Sequence, residues 1–409
     1  MVKKYFCLII LLFISSSCVR APLSHVSQAL KVSTKPSLSD DLGTDSLAKG
    51  IGDQITALEK RADANMTFGQ KKILRSDYIL ALKYLRNLLT TRETTQDFFT
   101  AIERDFDFYA IYGGKDFGDA LVTSYFEPEI EGSLTKTELF SEPLYAQPGD
   151  MLEIALSQFD RCPGCPSRLV GRLQQEKGKS KVVPYYSRAE IAQKSPFGQE
   201  LVLCWVKPVD AFFLHIQGSG TVLLPDAQPL RLGYSSQNGH RYVGIGSALN
   251  QLAKEKNLPP PSQDLHSIEK ILNSMSREQM QSYLNKNPSY VFFRRLESER
   301  PITSFGTEVS DGRTIAADMR YFPKGALAFL SFDRPVFADE NQLRPLAWQK
   351  TARFVLDQDT GGAIKGGQHI DLFWGKGKIA KQHAGVMKVA GQLWYIAPKD
   401  SLIAALKTK

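Results

Sequence analysis

Apolar residues in the first third of the chain recur with the spacing of an amphipathic helix. Between residues 51 and 108 they follow at intervals of three or four residues, as in Ile79, Leu82, Leu85 and Leu89. Such spacing puts them on one helix face, and we predict a helical lead-in over 51–108 that packs this stripe against the rest of the protein. Residues 19–50 are rich in Ser, Thr, Lys and Asp and poor in aromatic residues, which predicts a flexible tether.

After Tyr109 the pattern changes to short apolar or alternating runs that are separated by Gly, Pro, Asn and Asp. Short strands separated by turn-forming residues are typical of β-barrels. The clearest runs are 121–126, 201–206, 211–217, 326–332 and 354–356. A helical interruption is predicted between 245 and 296, with its clearest helix over 267–284. No segment repeats at a fixed period, so we expect a mainly β protein with α segments.

The first 18 residues have the layout of a secretory signal. Two lysines precede a short apolar run over 5–14, and three serines then lead to Cys18. The run is too short to span a membrane. A cysteine after small residues predicts lipidation of Cys18, which would anchor the protein on the periplasmic face of the outer membrane. An ordinary signal peptide cut near Ser17, with release into the periplasm, stays open because Ser15 stands where lipoprotein signals usually carry Leu.

Composition and charge exclude several classes of protein. The 409 residues, 43% hydrophobic and 23% charged, suit an ordinary globular protein of two or three domains. The net charge of +8 comes from scattered basic residues, without the aromatic interleaving of a nucleic-acid groove. Cys162 and Cys165 have no second Cys or His pair at matching spacing, so we expect a turn disulfide or two free thiols. We predict no metal site, no nucleotide cofactor and a monomer.

The densest group of chemically interesting residues lies near the C-terminus. An apolar run ends at Asp359, a double-glycine turn follows, and a second strand carries Asp371. Alternation along that strand gives one face with His369, Asp371 and Phe373 and an apolar face with Ile370, Leu372 and Trp374. Because the apolar face belongs in the core, we expect Asp371 to face a groove. Acids and glycines can simply make turns, but two acids at the ends of adjoining strands favour a functional site.

Six blocks of sequence resemble the membrane-bound lytic murein transglycosylase A family, in the order of that family. Residues 303–398 look like the three-aspartate domain, with Asp318, Asp359 and Asp371 as its acids. The other blocks are 123–133, 184–191, 205–220, 233–240 and 287–294. The resemblance covers residues 110 to 398, and six ordered blocks are far more specific than one motif.

The resemblance implies a fold and an arrangement of domains. It implies a double-psi β-barrel catalytic domain over 109–150 and 290–400, a second β-barrel inserted over 151–289, and a groove between them for the glycan. One departure is Asp357, at a position where the family usually has a small residue. Two residues before Asp359, it should share the strand face of that acid.

The resemblance also implies a reaction. A lytic transglycosylase cleaves the β-1,4 bond between N-acetylmuramic acid and N-acetylglucosamine and leaves a 1,6-anhydromuramoyl end. Asp371 would be the acid and then the base, which requires a carboxyl that is neutral near neutral pH, against a usual pKa of about 3.9. Burial and the charge of the second catalytic candidate, Asp359, can raise it. Candidate substrate contacts are Asp318, Lys365, Gln217, Ser219, Tyr125 and Asn238.

Two other functions compete with this interpretation. The string Asp359-Thr360-Gly361 matches the aspartic protease signature, but it occurs once and is followed by Gly362. The stronger alternative is a non-catalytic, expansin-like protein that binds cell-wall glycans on the same kind of barrel. Peptidoglycan strands are the expected partner in both cell-wall interpretations. His215 is expected to be an interior histidine in a strand, not a ligand.

Overall fold

The N-terminal part of the chain is helical, with short strands between the helices. In this computed structural model the described residues are 25–91, 94–113, 117–159, 168–225, 227–256, 258–262, 264–297 and 300–408. The elements up to residue 111 are β1 Leu30–Val32, α1 Thr44–Glu59, β2 Asn65–Phe68, β3 Lys71–Leu74, α2 Arg75–Thr90, α3 Thr95–Asp105 and β4 Phe106–Ile111. Leu82 and Leu85 of α2 are buried in the main core, which confirms the helical lead-in. The β2–β3 hairpin within it was not predicted.

In its described residues, the middle of the chain combines ten strands with five helices. The strands are β5 Asp119–Glu127, β6 Glu129–Ser133, β7 Glu142–Tyr145, β8 Leu152–Ala155, β9 Arg168–Glu176, β10 Lys179–Pro184, β11 Val202–Val206, β12 Gly220–Leu223, β13 Leu230–Gln237 and β14 Val291–Arg295. The helices are α4 Arg188–Lys194, α5 Pro208–Gln217, α6 Gly246–Glu255, α7 Leu265–Asn273 and α8 Arg277–Leu284.

The C-terminal part is built mainly from long strands. They are β15 Thr314–Ala317, β16 Leu327–Val336, β17 Ala347–Asp359, β18 His369–Lys376 and β19 Lys388–Pro398, with α9 Gly377–Ala384 and α10 Asp400–Lys407. None of the helices in the described ranges is long and apolar enough to cross a membrane.

Six strands close into a barrel in the order β5, β18, β15, β17, β16, β19 and back to β5. The pairs β5–β18 and β15–β17 are parallel, and the other four are antiparallel. The last strand, β19, pairs with β5 through its first half and with β4 through its second half. A barrel closed in this way confirms the predicted barrel fold.

A single large core joins this barrel to the helical lead-in. Phe98 and Phe99 of α3 both contact Phe354 of β17, whose ring also meets Phe329 of β16. The run Phe354–Leu356 is continuously apolar because all three side chains are buried. Each fully buried side chain of this size contributes about 1.5–3 kcal/mol. The lead-in therefore shares one core with this barrel rather than standing apart from it.

A second sheet of six strands follows the order β14, β13, β12, β6, β11, β7. A bridge between Ala146, just after β7, and Phe293 of β14 brings its two edges together, as expected for the inserted barrel. Because β6, β7 and β14 pair within this sheet, the predicted insert of 151–289 is too short. We propose that it runs from Glu129 to Arg295, with the chain leaving the first barrel at Pro128.

Two predictions of secondary structure inside the insert are wrong. The run 211–217, predicted as a strand, lies in helix α5, which has Pro208 in its first turn and ends where Gly218 adopts a φ of 81°. Its interior is apolar because the helix is buried on most of its surface, and such a run cannot be told from a buried strand by periodicity. The single helix expected over 267–284 is two helices, because Ser276 caps the N-terminus of α8 by accepting a hydrogen bond from the Gln279 N–H.

The predicted tether also needs correction. From residue 25 onward, much of this segment packs on the barrel. Strand β1 pairs with β4, and two adjacent acids bind arginines of the barrel: Asp40 lies 2.5 Å from Arg313, and Asp41 lies 2.6 Å from Arg353. Arg313 is fully buried, and a buried charge is stable only when it is paired. The polar composition of this segment reflects these ion pairs, not solvation alone.

Candidate active site

The strand register brings Asp359 and Asp371 to the two sides of one small residue. Ala316 of β15 pairs with Asp359 of β17 on one side and with Asp371 of β18 on the other. Neighbouring strands lie about 4.8 Å apart, so the two aspartate backbones are separated by roughly 10 Å. Asp359 and Asp371, the predicted pair of acids, therefore lie on the two strands that flank β15.

Asp371 is a partly exposed carboxyl with one strong hydrogen bond. Its Oδ1 accepts a hydrogen bond of 2.6 Å from the hydroxyl of Thr123, the residue opposite it on β5. Burial raises the pKa of Asp371 to about 7; the Thr123 hydrogen bond works in the opposite direction, and the charge of Asp359 adds to the rise. The carboxyl can therefore hold a proton near neutral pH and still lose it, as an acid that later acts as a base requires.

Thr123 also touches the imidazole of His369. The distance from its Oγ1 to His369 Nε2 is 2.9 Å, so one hydroxyl lies between the ring and the carboxyl. Burial, followed by the charge of Lys388, lowers the pKa of His369, which keeps the ring neutral. A neutral imidazole can either donate to or accept from the hydroxyl, depending on its tautomer.

Asp359 differs from Asp371 because both of its oxygens already accept hydrogen bonds. Oδ2 accepts from the Tyr125 hydroxyl at 3.0 Å, and Oδ1 accepts from the backbone N–H groups of Ser304 at 3.0 Å and Thr360 at 2.9 Å. The Tyr125 ring packs on Phe373, with 5.1 Å between centroids. The Asp359 carboxyl is thus held in one orientation by three hydrogen bonds.

Asp357 belongs to the interior and has different partners. It is fully buried, where it binds the ammonium group of Lys324 and accepts a hydrogen bond of 2.7 Å from the Tyr395 hydroxyl. The β15–β17 register shifts between Ile315 and Ala316, so strict alternation does not carry from Asp357 to Asp359. The expectation that both acids share one strand face therefore does not hold across this irregularity.

Asp318 supports the glycine-rich loop between β17 and β18. It is 4% exposed, and it binds Arg320 at 2.6 Å and the backbone N–H of Gly366 at 2.9 Å. With its oxygens occupied in this way, it positions the loop and does not offer itself to a substrate. That corrects the predicted substrate contact. Lys365 lies exposed on the same loop.

Comparisons with known proteins place this arrangement in a family. The chain matches the family description "MltA specific insert domain" over residues 121–294 and "3D domain" over residues 313–397. It is 27% identical over 292 residues to "Membrane-bound lytic murein transglycosylase A" of Escherichia coli K12, covering 71% of this chain and 69% of that protein. The protein of the same name from Vibrio cholerae is 28% identical over 298 residues, covering 71% and 68%.

The chain belongs to the membrane-bound lytic murein transglycosylase A family. Solved structures of the family have the same fold. A membrane-bound lytic murein transglycosylase from Agrobacterium tumefaciens matches with a TM-score of 0.69 and 23% identity over 93% of this chain and all of the other. The E. coli family member with bound chitohexaose matches with a TM-score of 0.66 and 20% identity over 93% and 96%. The chain is accordingly an enzyme of the lytic transglycosylase type.

The remaining predicted substrate contacts have different surroundings within this family fold. Gln217 Oε1 accepts a hydrogen bond of 3.0 Å from the backbone N–H of Phe126 and so ties α5 to the end of β5. Ser219 is partly exposed in the turn that follows α5. Both lie where the chain passes between the barrels, which suits a groove.

Asn238 is not available to a ligand. It is fully buried, its amide donates to the carbonyls of Tyr186 and Pro288, and its carbonyl accepts from the backbone N–H of Tyr290. All these partners lie inside the insert, so the predicted sugar contact is corrected to a structural role. Asn beside Gly239 resembled a loosened turn in the sequence, but its amide joins three backbone segments.

Thr123 is the functional residue that sequence reasoning did not single out. It stands two residues before Tyr125 on β5, and this spacing puts both on one strand face. This spacing could have indicated that Thr123 lies in the site, but its hydrogen-bond partner Asp371 lies 248 residues away in sequence. Cys18, Cys162 and Cys165 lie outside the described residues, so the predictions for them stay predictions.

Proposed function

We propose that this enzyme cleaves peptidoglycan glycan strands between N-acetylmuramic acid and N-acetylglucosamine, with Asp371 as acid and then as base. The observation that carries the proposal is a partly exposed carboxyl with a pKa of about 7 across one strand from a fixed second carboxylate. The names of the relatives and the chitohexaose bound to one solved family member support a glycan substrate.

In the first step the protonated Asp371 donates to the bridging 4-oxygen of the N-acetylglucosamine. The bond between that oxygen and the anomeric carbon of the muramoyl sugar breaks, and the electron pair leaves with the protonated oxygen. The anomeric carbon becomes oxocarbenium-like. The charge of Asp359, whose carboxyl is held in place by three hydrogen bonds, stabilises this positive charge. The acetamido group of the same sugar can also share the charge.

In the second step the ionised Asp371 takes the proton of the muramoyl 6-hydroxyl. The 6-oxygen bonds to the anomeric carbon and closes a 1,6-anhydro ring. The proton given in the first step is regained in the second, so no water is consumed. One carboxyl suffices, where an ordinary glycosidase uses two.

Thr123 and His369 fit this change of protonation state. When Asp371 is ionised, the Thr123 hydroxyl donates to it and can accept from His369 Nε2–H. When Asp371 is protonated on its other oxygen, Oδ2, that proton faces the substrate, and the Thr123 hydroxyl still donates to Oδ1. The chain of hydrogen bonds thus adapts to both states and leaves the second carboxyl oxygen for the substrate.

Product analysis of isolated sacculi tests the proposal directly. We expect the wild type to release fragments with 1,6-anhydromuramoyl ends and the Asp371→Asn variant, folded to the same extent, to release none above background. Reducing ends would make the protein a hydrolase, and binding without any new ends would support the expansin-like alternative. Either result would refute the proposed reaction.

We further infer that the protein acts as a monomer held at the outer membrane by a lipid on Cys18. The predicted signal over residues 1–18 and the names of its relatives, which call them membrane-bound, support this placement. Labelling with a radioactive fatty acid should mark the wild type and not Cys18→Ser. Equal labelling of the two would contradict the anchor.

A further inference from the structure

A cavity of about 500 Å³ lies beside the candidate active site, where the helical lead-in meets the barrel. Its wall includes Ser304 and Thr360, whose backbone N–H groups both bind Asp359. From there it extends to Arg61, which follows α1, and to Arg75 at the start of α2. The cavity is therefore continuous with the surroundings of the second catalytic acid, but it is built partly from a segment outside the family match at 121–294 and 313–397.

The charged residues of the cavity wall are all basic. Arg61, Arg75, Arg320 and Lys324 line the cavity, and its described lining contains no acidic residue. Two of these cations have acidic partners that lie outside the lining: Arg320 binds Asp318 and Lys324 binds Asp357.

Within the part of the chain that the structure describes, neither cavity-lining arginine of the helical lead-in forms an ion pair of this kind. Arg61 donates to the carbonyl of Phe305 at 2.8 Å and lies 4.0 Å above the Phe305 ring, which uses one of its five donors. Arg75 acts on the charge of Asp63, but the oxygens of Asp63 already accept hydrogen bonds from Ser76. The cavity therefore presents two guanidinium groups with donors to spare.

Guanidinium groups recognise carboxylates through paired, charge-assisted hydrogen bonds. The rest of the wall combines polar residues with an apolar and aromatic part, which includes Phe305, Phe322 and a Met319 that is 66% exposed. A small peptide that carries both carboxylates and methyl groups fits such a wall. A neutral sugar would leave the arginines unpaired, and a bare anion would leave the apolar surface uncovered.

We propose that this cavity, the arginine cavity, binds the carboxylate-bearing peptide that peptidoglycan carries on its muramoyl sugars. The inference rests on the proposed function, because the muramoyl sugar must sit at Asp371 and Asp359 for its bond to be cut. The peptide branches from that same sugar, so a site that touches the surroundings of Asp359 lies within reach of it. Recognition of the peptide would add affinity for substituted strands over bare ones.

Two substrates separate this inference from the reaction itself. One is peptide-bearing glycan strands, and the other is the same strands after an amidase has removed the peptides. Arg75→Gln is the test variant, because Arg61 also holds the loop of Phe305 and Ser304. Arg75→Lys keeps the charge, and Arg86→Gln removes one charge from the exposed part of the same helix, outside the cavity.

We expect Arg75→Gln to raise KM for peptide-bearing strands by about three- to tenfold, with kcat unchanged and no effect on bare strands. Arg75→Lys should keep most of the affinity, and Arg86→Gln should behave as wild type. An equal change on both substrates, no change on either, or the same change in Arg86→Gln would overturn the arginine cavity while leaving the reaction intact. A wild type that produces no anhydro ends from either substrate would instead refute the proposed function.

Discussion

Both barrels bury titratable groups, and Asp371 and Arg188 show two different ways in which such a group is held. In the catalytic barrel, Asp371 stays partly exposed, has one hydrogen bond and has a pKa raised to about 7. In the insert, Arg188 is 3% exposed and binds His215 Nδ1 together with the carbonyls of Asn287 and Ser289. Its guanidinium also lies over the Phe212 and Tyr290 rings.

The difference teaches how to separate chemistry from architecture in a buried charge. The donors of Arg188 bind fixed acceptors of the protein. The residue therefore joins α4, α5 and the segment just before β14. His215 lies on helix α5, not on the predicted strand; it is interior as expected, and burial lowers its pKa well below the usual value. Asp371, in contrast, has a second carboxyl oxygen that is left for the substrate. Perturbed titration marks an active site only when the group can still reach a substrate.

The comparison between Asp371 and Arg188 predicts its largest effect for the turnover of an Asp371 variant. Asp371→Asn should lower kcat by about 10³-fold or more, because it removes the proton that both steps share. Release of anhydro-muropeptides under saturating sacculi measures this loss. An unchanged thermal midpoint at pH 4, where Asp371 is protonated in the folded wild type, would show that the fold is intact, and residual turnover within tenfold of wild type would contradict the assignment.

A substitution of Arg188 in the insert should lower the stability of the protein and leave kcat nearly unchanged. Arg188→Met removes the charge and leaves three acceptors without a donor, which we expect to cost about 3 kcal/mol of unfolding free energy. Denaturant unfolding measures the loss. The catalytic barrel contains no partner of Arg188, so kcat of the folded fraction should stay near wild type. A collapse of kcat with normal stability would mean that the two barrels are not separable in this way.

The same comparison predicts a pH-dependent stability for the catalytic barrel. The folded pKa of Asp371 is raised, so the folded state holds its proton more tightly than the unfolded chain does. Its contribution is complete below pH 4 and is lost as pH rises through about 7. Because the carboxyl is partly exposed, we expect Asp371→Asn to gain on the order of 2 kcal/mol over wild type at pH 8 and almost nothing at pH 4. Unfolding curves at both pH values test this, and a gain of equal size at both would contradict it.

The smallest expected effect concerns Thr123. Its hydrogen bond lowers the pKa of Asp371, so Thr123→Val should raise that pKa and move the alkaline limb of the kcat profile to higher pH. We expect kcat near neutral pH to fall by about tenfold, because the ionised form needed for the second step is disfavoured. Thr123→Ser keeps the hydroxyl and should restore the profile. A lower rate without any shift of the limb would point to a structural role only.

Much of the architecture could be predicted from local patterns and from the order of the motifs. The helical lead-in, the barrel and the inserted barrel were all expected, and the fold bears them out, whereas the two acids lie on strands separated by β15. The failures have identifiable causes. Residues 211–217 form a buried helix whose apolar run has no visible period, and residues 25–50 are polar because their acids bind buried arginines.

The sequence by itself determined which residues can do chemistry here: Asp359 and Asp371 beside glycine-rich turns, on strands whose alternation can be counted. Only the tertiary structure decided how each one behaves. Asp371 has a pKa of about 7 because strands distant in the chain bury it beside Thr123, and Asn238 is structural because three backbone segments converge on it. Desolvation and hydrogen-bond partners arise from long-range contacts, and no local window of sequence contains them.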